Sequence, residues 1–349
     1  MKAAPNAARF LELDVLRGLA AVAVAASHYI YQHISVFENA PSSAFAVFIP
    51  GFPTKYFGLV PLYLFFMISG FVITWTLERS RTGGDFVFAR FSRLFPSYWI
   101  CVLVTGTAIT VIPLPPSWHG PTPTEWVVNL TMLQNFFRVA QIDGVYWSLG
   151  VELTFYAWAY VWRRYAADVS MRVLLGVAIL LSVGYGVFDP KSNPVPWPIV
   201  TILILDHAHF FVAGILGYRI WSGVAVNRTD LVIMGGIVVA ILERYPLPVA
   251  VAAIFASLLF LLTVTRRMSW IVSPPLVWLG AISYPLYLIH QNIGYIVLER
   301  LPFGPELNIL ATMAFILSLA AAIHYLIEGP AMRRLRAWRK SRTAGAAVS

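Results

Sequence analysis

Apolar positions in this chain fall in long unbroken blocks, not in the alternation of a strand or the one-sided stripe of a soluble helix. Runs of about 20 apolar residues, enough for a helix to cross roughly 30 Å of hydrocarbon, occur ten times: 13–34, 57–77, 95–113, 146–162, 172–188, 200–220, 231–243, 247–265, 275–297 and 307–327. The pattern predicts an all-α integral membrane protein, a bundle of about ten transmembrane helices in one domain over 1–349. Residues 328–349 form a basic tail. No internal repeat or inverted pair of broken helices, a mark of many secondary transporters, is visible.

Composition agrees with the pattern. Of 349 residues, 59% are hydrophobic and only 12% charged, and the mean hydropathy of +0.72 exceeds what a soluble domain carries. The net charge of +9 has no soluble basic domain in which to serve nucleic-acid binding. It reads instead as topology: with a cytosolic N-terminus, nineteen of the 25 Lys and Arg fall on the inner side, so the positive-inside rule puts both termini in the cytosol. The first apolar run contains Arg17 and His28 and lacks a basic leader with a cleavage site, and is therefore expected to be a retained helix. The single cysteine, Cys101, leaves no scope for an internal disulfide or thiolate metal cluster. Neither a metal nor a permanently bound cofactor is expected. The loop 114–145, rich in Pro and aromatic residues, is expected to fold back as a lid.

Ionisable groups inside such spans are costly and mark function by default. Arg17 and His28 are eleven residues apart, about 20° short of three full turns with a rise of about 16 Å, so they share one helix face. Glu152 in the fourth span reaches a similar depth to His28, which makes a His–carboxylate pair feasible. Asp206, His207 and His209 lie in the outer half of the sixth span, and Tyr287 and His290 past the middle of the ninth. Arg90 and Arg93, three apart on one helix face, can clamp phosphates, although a short cytosolic loop would carry such residues for topology alone. His33, His119 and His324 are read as structural.

These residues sit in segments that resemble acyltransferase family 3, a family of membrane acyltransferases. The resemblance rests on Leu13-Asp14-Val15-Leu16-Arg17-Gly18 running on to His28; on Phe65-Phe66-Met67-Ile68-Ser69-Gly70-Phe71; on Arg90 and Arg93; on Tyr146-Trp147-Ser148-Leu149-Gly150-Val151-Glu152; on Ser283-Tyr284-Pro285-Leu286-Tyr287-Leu288-Ile289-His290; and on Ile327-Glu328-Gly329-Pro330. One departure is Leu153, where relatives usually carry a second acidic or amide residue.

The resemblance implies a bacterial inner-membrane O-acyltransferase that moves an acyl group, acetyl by expectation, from cytosolic acyl-CoA as co-substrate to a hydroxyl of an extracytoplasmic or lipid-linked glycan. Arg17, Ser69, Gly70, Arg90 and Arg93 would bind the donor. His28 would act as general base or acyl carrier, oriented by Glu152, with His290 donating to the oxyanion or contacting the acceptor. Tyr287, Trp147, Asp206 and His209 would meet the acceptor, with Trp118, Tyr146 and Trp197 as further stacking candidates. The rival reading from the residues alone is a transporter or flippase for a lipid-linked glycan or small solute, using the intramembrane charges as a proton relay.

Overall fold

The computed structural model describes residues 10–32, 58–112, 119–187 and 195–345. The expectations for His33, Trp118 and the prolines at 113, 115 and 116 lie outside these residues. Among the described residues the structure is helical throughout and holds no strand, as the apolar blocks predict for a chain whose backbone must satisfy itself inside lipid.

Fourteen α-helices follow one another among these residues: α1 Leu11–Ser27, α2 Leu59–Arg79, α3 Gly83–Val111, α4 Pro123–Leu130, α5 Gln134–Phe137, α6 Trp147–Tyr165, α7 Met171–Val187, α8 Trp197–Leu203, α9 Ala208–Trp221, α10 Arg228–Arg244, α11 Leu247–Val264, α12 Pro274–Leu298, α13 Pro305–Ile323 and α14 Gly329–Gly345. Within the described residues the predicted apolar runs lie largely on helix, the sixth of them on two. By length and composition six segments are apolar enough to cross a membrane: Leu11–Tyr31, Leu59–Arg79, Gly83–Val111, Trp197–Trp221, Leu247–Val264 and Pro305–Arg339. α7 is apolar but shorter, at 17 residues.

Local chemistry sets the helix ends. Thr82 with Asp85, Thr122 with Glu125 and Asn227 with Asp230 form reciprocal capping boxes that start α3, α4 and α10. Two helices run on into π-helical turns, His28–Gln32 after α1 and His324–Glu328 after α13. The predicted sixth span is interrupted: α8 stops at Leu203, Ile204 takes a left-handed φ of 53°, and α9 begins at Ala208.

Buried apolar side chains form two clusters. One centres on α1, α3, α6, α12 and α13; the other on α2, α7, α9, α10 and α11, with the start of α1. Phe65 and Phe155 pack against both. In lipid the helices gain little from apolar burial as such, and close packing through small residues takes over. α1 crosses α12 where Gly18 faces Gly280, and a Cβ added at Gly18 would lie 2.5 Å from the Gly280 nitrogen. α2 meets α9 in the same way, with Gly70 facing the Phe211 carbonyl and Gly214.

The segment expected as a lid forms α4, α5 and a 3₁₀ turn. Trp126 packs where Gly106 leaves room on α3, and Tyr98 and Trp99 donate to the carbonyls of Asn129 and Leu130 at 2.7 and 2.9 Å. The basic tail is itself helical: Arg339 bonds Asp85 and lies over the Phe88 ring at 4.6 Å, which docks α14 on the start of α3.

Candidate functional site

Five helices converge on a cavity of about 120 Å³. Arg17 enters from α1, Ser69 from α2, Arg90 and Arg93 from α3, Ser148, Glu152 and Tyr156 from α6, and Ser283, Tyr284 and Tyr287 from α12. Each group reaches the cavity by a definite local route. Arg17 donates from Nε to Ser283 Oγ and from Nη2 to the Gly280 carbonyl, both at 2.9 Å, and meets Asp14 at 3.2 Å. The glycine crossing of α1 and α12 is what brings that arginine within reach. Arg90 donates to Thr76 Oγ1 at 3.0 Å, with its guanidinium 5.9 Å from the Tyr156 ring centre.

Arg93 is the most confined of the three arginines. Glu328, fully buried at the end of the second π turn, forms an ion pair with it and also meets His324 Nδ1 at 2.9 Å. Glu328 is therefore a functional neighbour that reading the sequence did not place, although it stands inside one of the recognised segments. His324, read as structural, is part of this cluster.

Glu152 does not orient His28, contrary to expectation. Its carboxylate accepts hydrogen bonds from Ser69 Oγ and from the Tyr156 hydroxyl, so it is held across the cavity by α2 and by its own helix. Tyr156 lies four residues beyond Glu152 on the same face, a spacing visible in the sequence but not used. His28 meets instead the Tyr295 hydroxyl, 3.4 Å from its Nδ1, and the ring of His290, with centroids 5.0 Å apart and planes at 67°.

His290 is fully buried. Its Nδ1 lies 2.8 Å from the Tyr287 carbonyl, an oxygen that can only accept, so Nδ1 carries the proton. In the neutral ring Nε2 is then the lone-pair nitrogen, and it has no partner among the described residues. The expected role as oxyanion donor does not fit that tautomer, because a neutral His290 presents a base. Tyr29 donates to the His290 carbonyl at 2.7 Å, a contact that Gly294 permits by having no side chain there. Neither histidine lines the cavity; Tyr287 does, and its ring centre stands 5.7 Å from that of His290.

Gly70 belongs to helix packing rather than to the cavity, since a Cβ there would come 2.3 Å from the Phe211 carbonyl of α9. Ser69, one residue earlier, faces the cavity. The four expected acceptor residues do not come together. Tyr287 lines the cavity, Trp147 packs on Phe66 and His207, Asp206 bonds Arg244 Nε at 2.9 Å, and His209 meets Ser182 at 3.0 Å. The Asp206 bond ties the turn before α9 to the end of α10, and His209 ties α9 to α7, a structural use. Trp197 lies under the Arg138 guanidinium at 5.1 Å.

Asp143, in the loop between α5 and α6, was not anticipated. It is fully buried, accepts from the backbone of Val145 at 3.2 Å and of Asn292 at 3.1 Å, and so pins this loop to α12 two residues past His290. Burial raises its pKa to about 7, against the pull of those two backbone donors.

A helical membrane bundle that encloses arginines, a held carboxylate and a histidine pair has the framework of an integral-membrane enzyme. The family model described as an acyltransferase domain matches residues 10–327, and the chain belongs to that family, acyltransferase family 3. Among curated relatives it is 24% identical to "Acyltransferase MdmB" of Streptomyces mycarofaciens, over 97% of this chain and 96% of the relative. It is 26% identical to "Nodulation protein 10" of Rhizobium leguminosarum bv. viciae, over 46% of this chain and 49% of that protein. No solved structure matches the chain.

Proposed function

We propose that the protein transfers an acyl group, acetyl in the simplest case, from cytosolic acyl-CoA to a hydroxyl of a glycan acceptor on the other side of a bacterial inner membrane. Both termini are cytosolic in this reading, and α6, α7, α10 and α12 cross the bilayer beside the six segments named above. The observation that carries the proposal is the convergence of Arg17, Arg90 and Arg93 on one small cavity beside Glu152, Ser69 and Tyr287. Three guanidinium groups at one site inside an apolar bundle suit a polyphosphate anion, which arginine binds through its planar fork. The diphosphate end of the donor lies near Arg90 and Arg93, and the pantetheine arm runs along Arg17 and Ser69 toward Tyr287.

Past Tyr287 stand His290 and then His28. A neutral imidazole there takes the proton of the acceptor hydroxyl while its oxygen bonds to the acyl carbon, a step worth about 10²–10⁴-fold. The C–S bond then breaks, and the CoA thiolate leaves with the proton that the imidazolium returns. His28 acts as this base, or accepts the acyl group itself before the acceptor does.

The test is turnover of [acetyl-¹⁴C]acetyl-CoA by purified protein in detergent. Turnover or a labelled adduct in the wild type, absent in His28→Ala, with Arg90→Ala/Arg93→Ala losing mainly donor affinity, supports the reading. No donor binding in any form overturns it.

A further inference from the structure

Ser283, Tyr287 and Gln291 are spaced four residues apart on α12, so they form one stripe about 12 Å long. The first two line the arginine cavity. Gln291 lines a different cavity, of about 270 Å³, together with Asn292, His119, Glu125, Gln141 and Gly144. Each cavity borders one end of this stripe, Tyr287 on the wall of the first and Gln291 on the wall of the second. Between them the Tyr287 and Ser148 hydroxyls lie 2.7 Å apart and reach the Val145 carbonyl at 3.3 and 3.1 Å. Val145 directly follows Gly144, a wall residue of the second cavity. One hydrogen-bonded junction thus separates a space walled by arginines from one walled by neutral amides, an imidazole and a carboxylate.

The chemistry of the second cavity is the opposite of the first. Among the described residues its lining contains no Lys or Arg, so these walls offer no cation to neutralise phosphates. It presents instead both donors and acceptors on rigid supports. Asn292 Nδ2 donates to the Ile142 carbonyl at 2.9 Å, and buried Asp143 fixes the loop against α12. Gly144 keeps the space at Gln291 open, since a Cβ would stand 2.8 Å from the Gln291 amide. Amide and carboxylate groups held in this way suit adjacent hydroxyls, each of which donates and accepts.

We propose that this second cavity is the acceptor subsite, that it holds a neutral hydroxyl-rich ligand of the saccharide class, and that the Tyr287–Ser148 junction is where the ligand hydroxyl meets the acyl group. The proposal rests on the donor reading of the arginine cavity. It moves the acceptor from Trp147, Asp206 and His209 to the α4–α6 segment and the outer end of α12.

The experiment uses engineered thiols in full-length protein in detergent, where the native Cys101 is fully buried. Gln291→Cys and Ala140→Cys place thiols in the second cavity, and Ala140 is already exposed there. Ala167→Cys, exposed between α6 and α7, is the control. Labelling by a charged methanethiosulfonate is measured with and without N-acetylglucosamine or methyl glucoside at high millimolar concentration, and separately with CoA. Saccharide slows labelling at 291 and 140 at least fivefold and leaves 167 unchanged, whereas CoA alone slows neither cavity thiol. Equal labelling with and without saccharide at both positions, or protection by CoA in place of saccharide, overturns the proposal. Binding of [¹⁴C]CoA to the same preparations tests the donor reading independently, so failure of either reading is visible without the other.

Discussion

Replacing Gly18 by alanine tests whether the crossing of α1 and α12 places Arg17. The new Cβ would stand 2.5 Å from the Gly280 nitrogen and 2.7 Å from the Leu279 carbonyl carbon, where ordinary contact begins near 3.4 Å. Both neighbours are backbone, so relief requires the helices to part by about 1 Å. Overpacking of this kind costs about 1–3 kcal/mol. The same shift would lengthen both 2.9 Å bonds from Arg17, to Ser283 Oγ and to the Gly280 carbonyl, beyond hydrogen-bond range. Bonds from a charged donor contribute about 1.5–3 kcal/mol each, and a loss of about 1.4 kcal/mol in donor binding is tenfold in affinity. The expected outcome is a thermal midpoint in detergent lowered by several degrees, with acyl-CoA affinity down at least tenfold. Gly176→Ala, in open space on α7, serves as the control and should be neutral or stabilise by about 0.5–1 kcal/mol. A Gly18→Ala protein that unfolds at the wild-type temperature and binds donor normally would refute the reasoning.

Two further outcomes follow from the buried acids. Native Asp143 holds its proton up to about pH 7, whereas the unfolded chain releases it near 4. Stability should therefore fall as pH rises through that window, by about 4 kcal/mol at most, and Asp143→Asn should flatten the difference in unfolding midpoints between pH 4 and 8; an unchanged slope in the variant would rule this acid out as the cause. Glu328→Gln leaves part-buried Arg93 without its counter-charge, a break that costs at most about 3–5 kcal/mol, and Arg93→Gln/Glu328→Gln should recover part of the loss. Additive single and double effects in the unfolding midpoint would show that the two side chains are not coupled.

The helices and most of the arginine cavity were legible from the sequence, because apolar run length and helical spacing are local properties. Arg17, Arg90, Arg93, Ser69, Glu152 and Tyr287 stand out in the sequence and line one space. Partner choice was not legible. Similar depth suggested that Glu152 faces His28, but depth says nothing of rotation about the bundle, and the carboxylate turned to Ser69 and Tyr156. The resemblance implies a donor role for Gly70 beside Ser69, but neighbours on a helix point about 100° apart, and Gly70 faces α9 instead. Asp206 and His209 carried the signature of buried polar groups, yet Arg244 and Ser182 satisfy them. Asp143 left no periodic trace, being one acid in an aromatic loop whose partner Asn292 lies 149 residues away.

The two π turns also set a limit on how far positions can be counted along these helices. A π turn closes i→i+5 in place of i→i+4, which amounts to one residue of slack wound into an otherwise continuous rod. His28 opens the first such turn and Glu328 closes the second. Residues upstream and downstream of the second turn, on α13 and α14, therefore keep different angular origins, and a helical wheel drawn from Arg17 holds as far as His28 and fails for Tyr31. The first residue of one phase slip and the last of the other each meet a side chain from a distant part of the chain, His290 and Arg93.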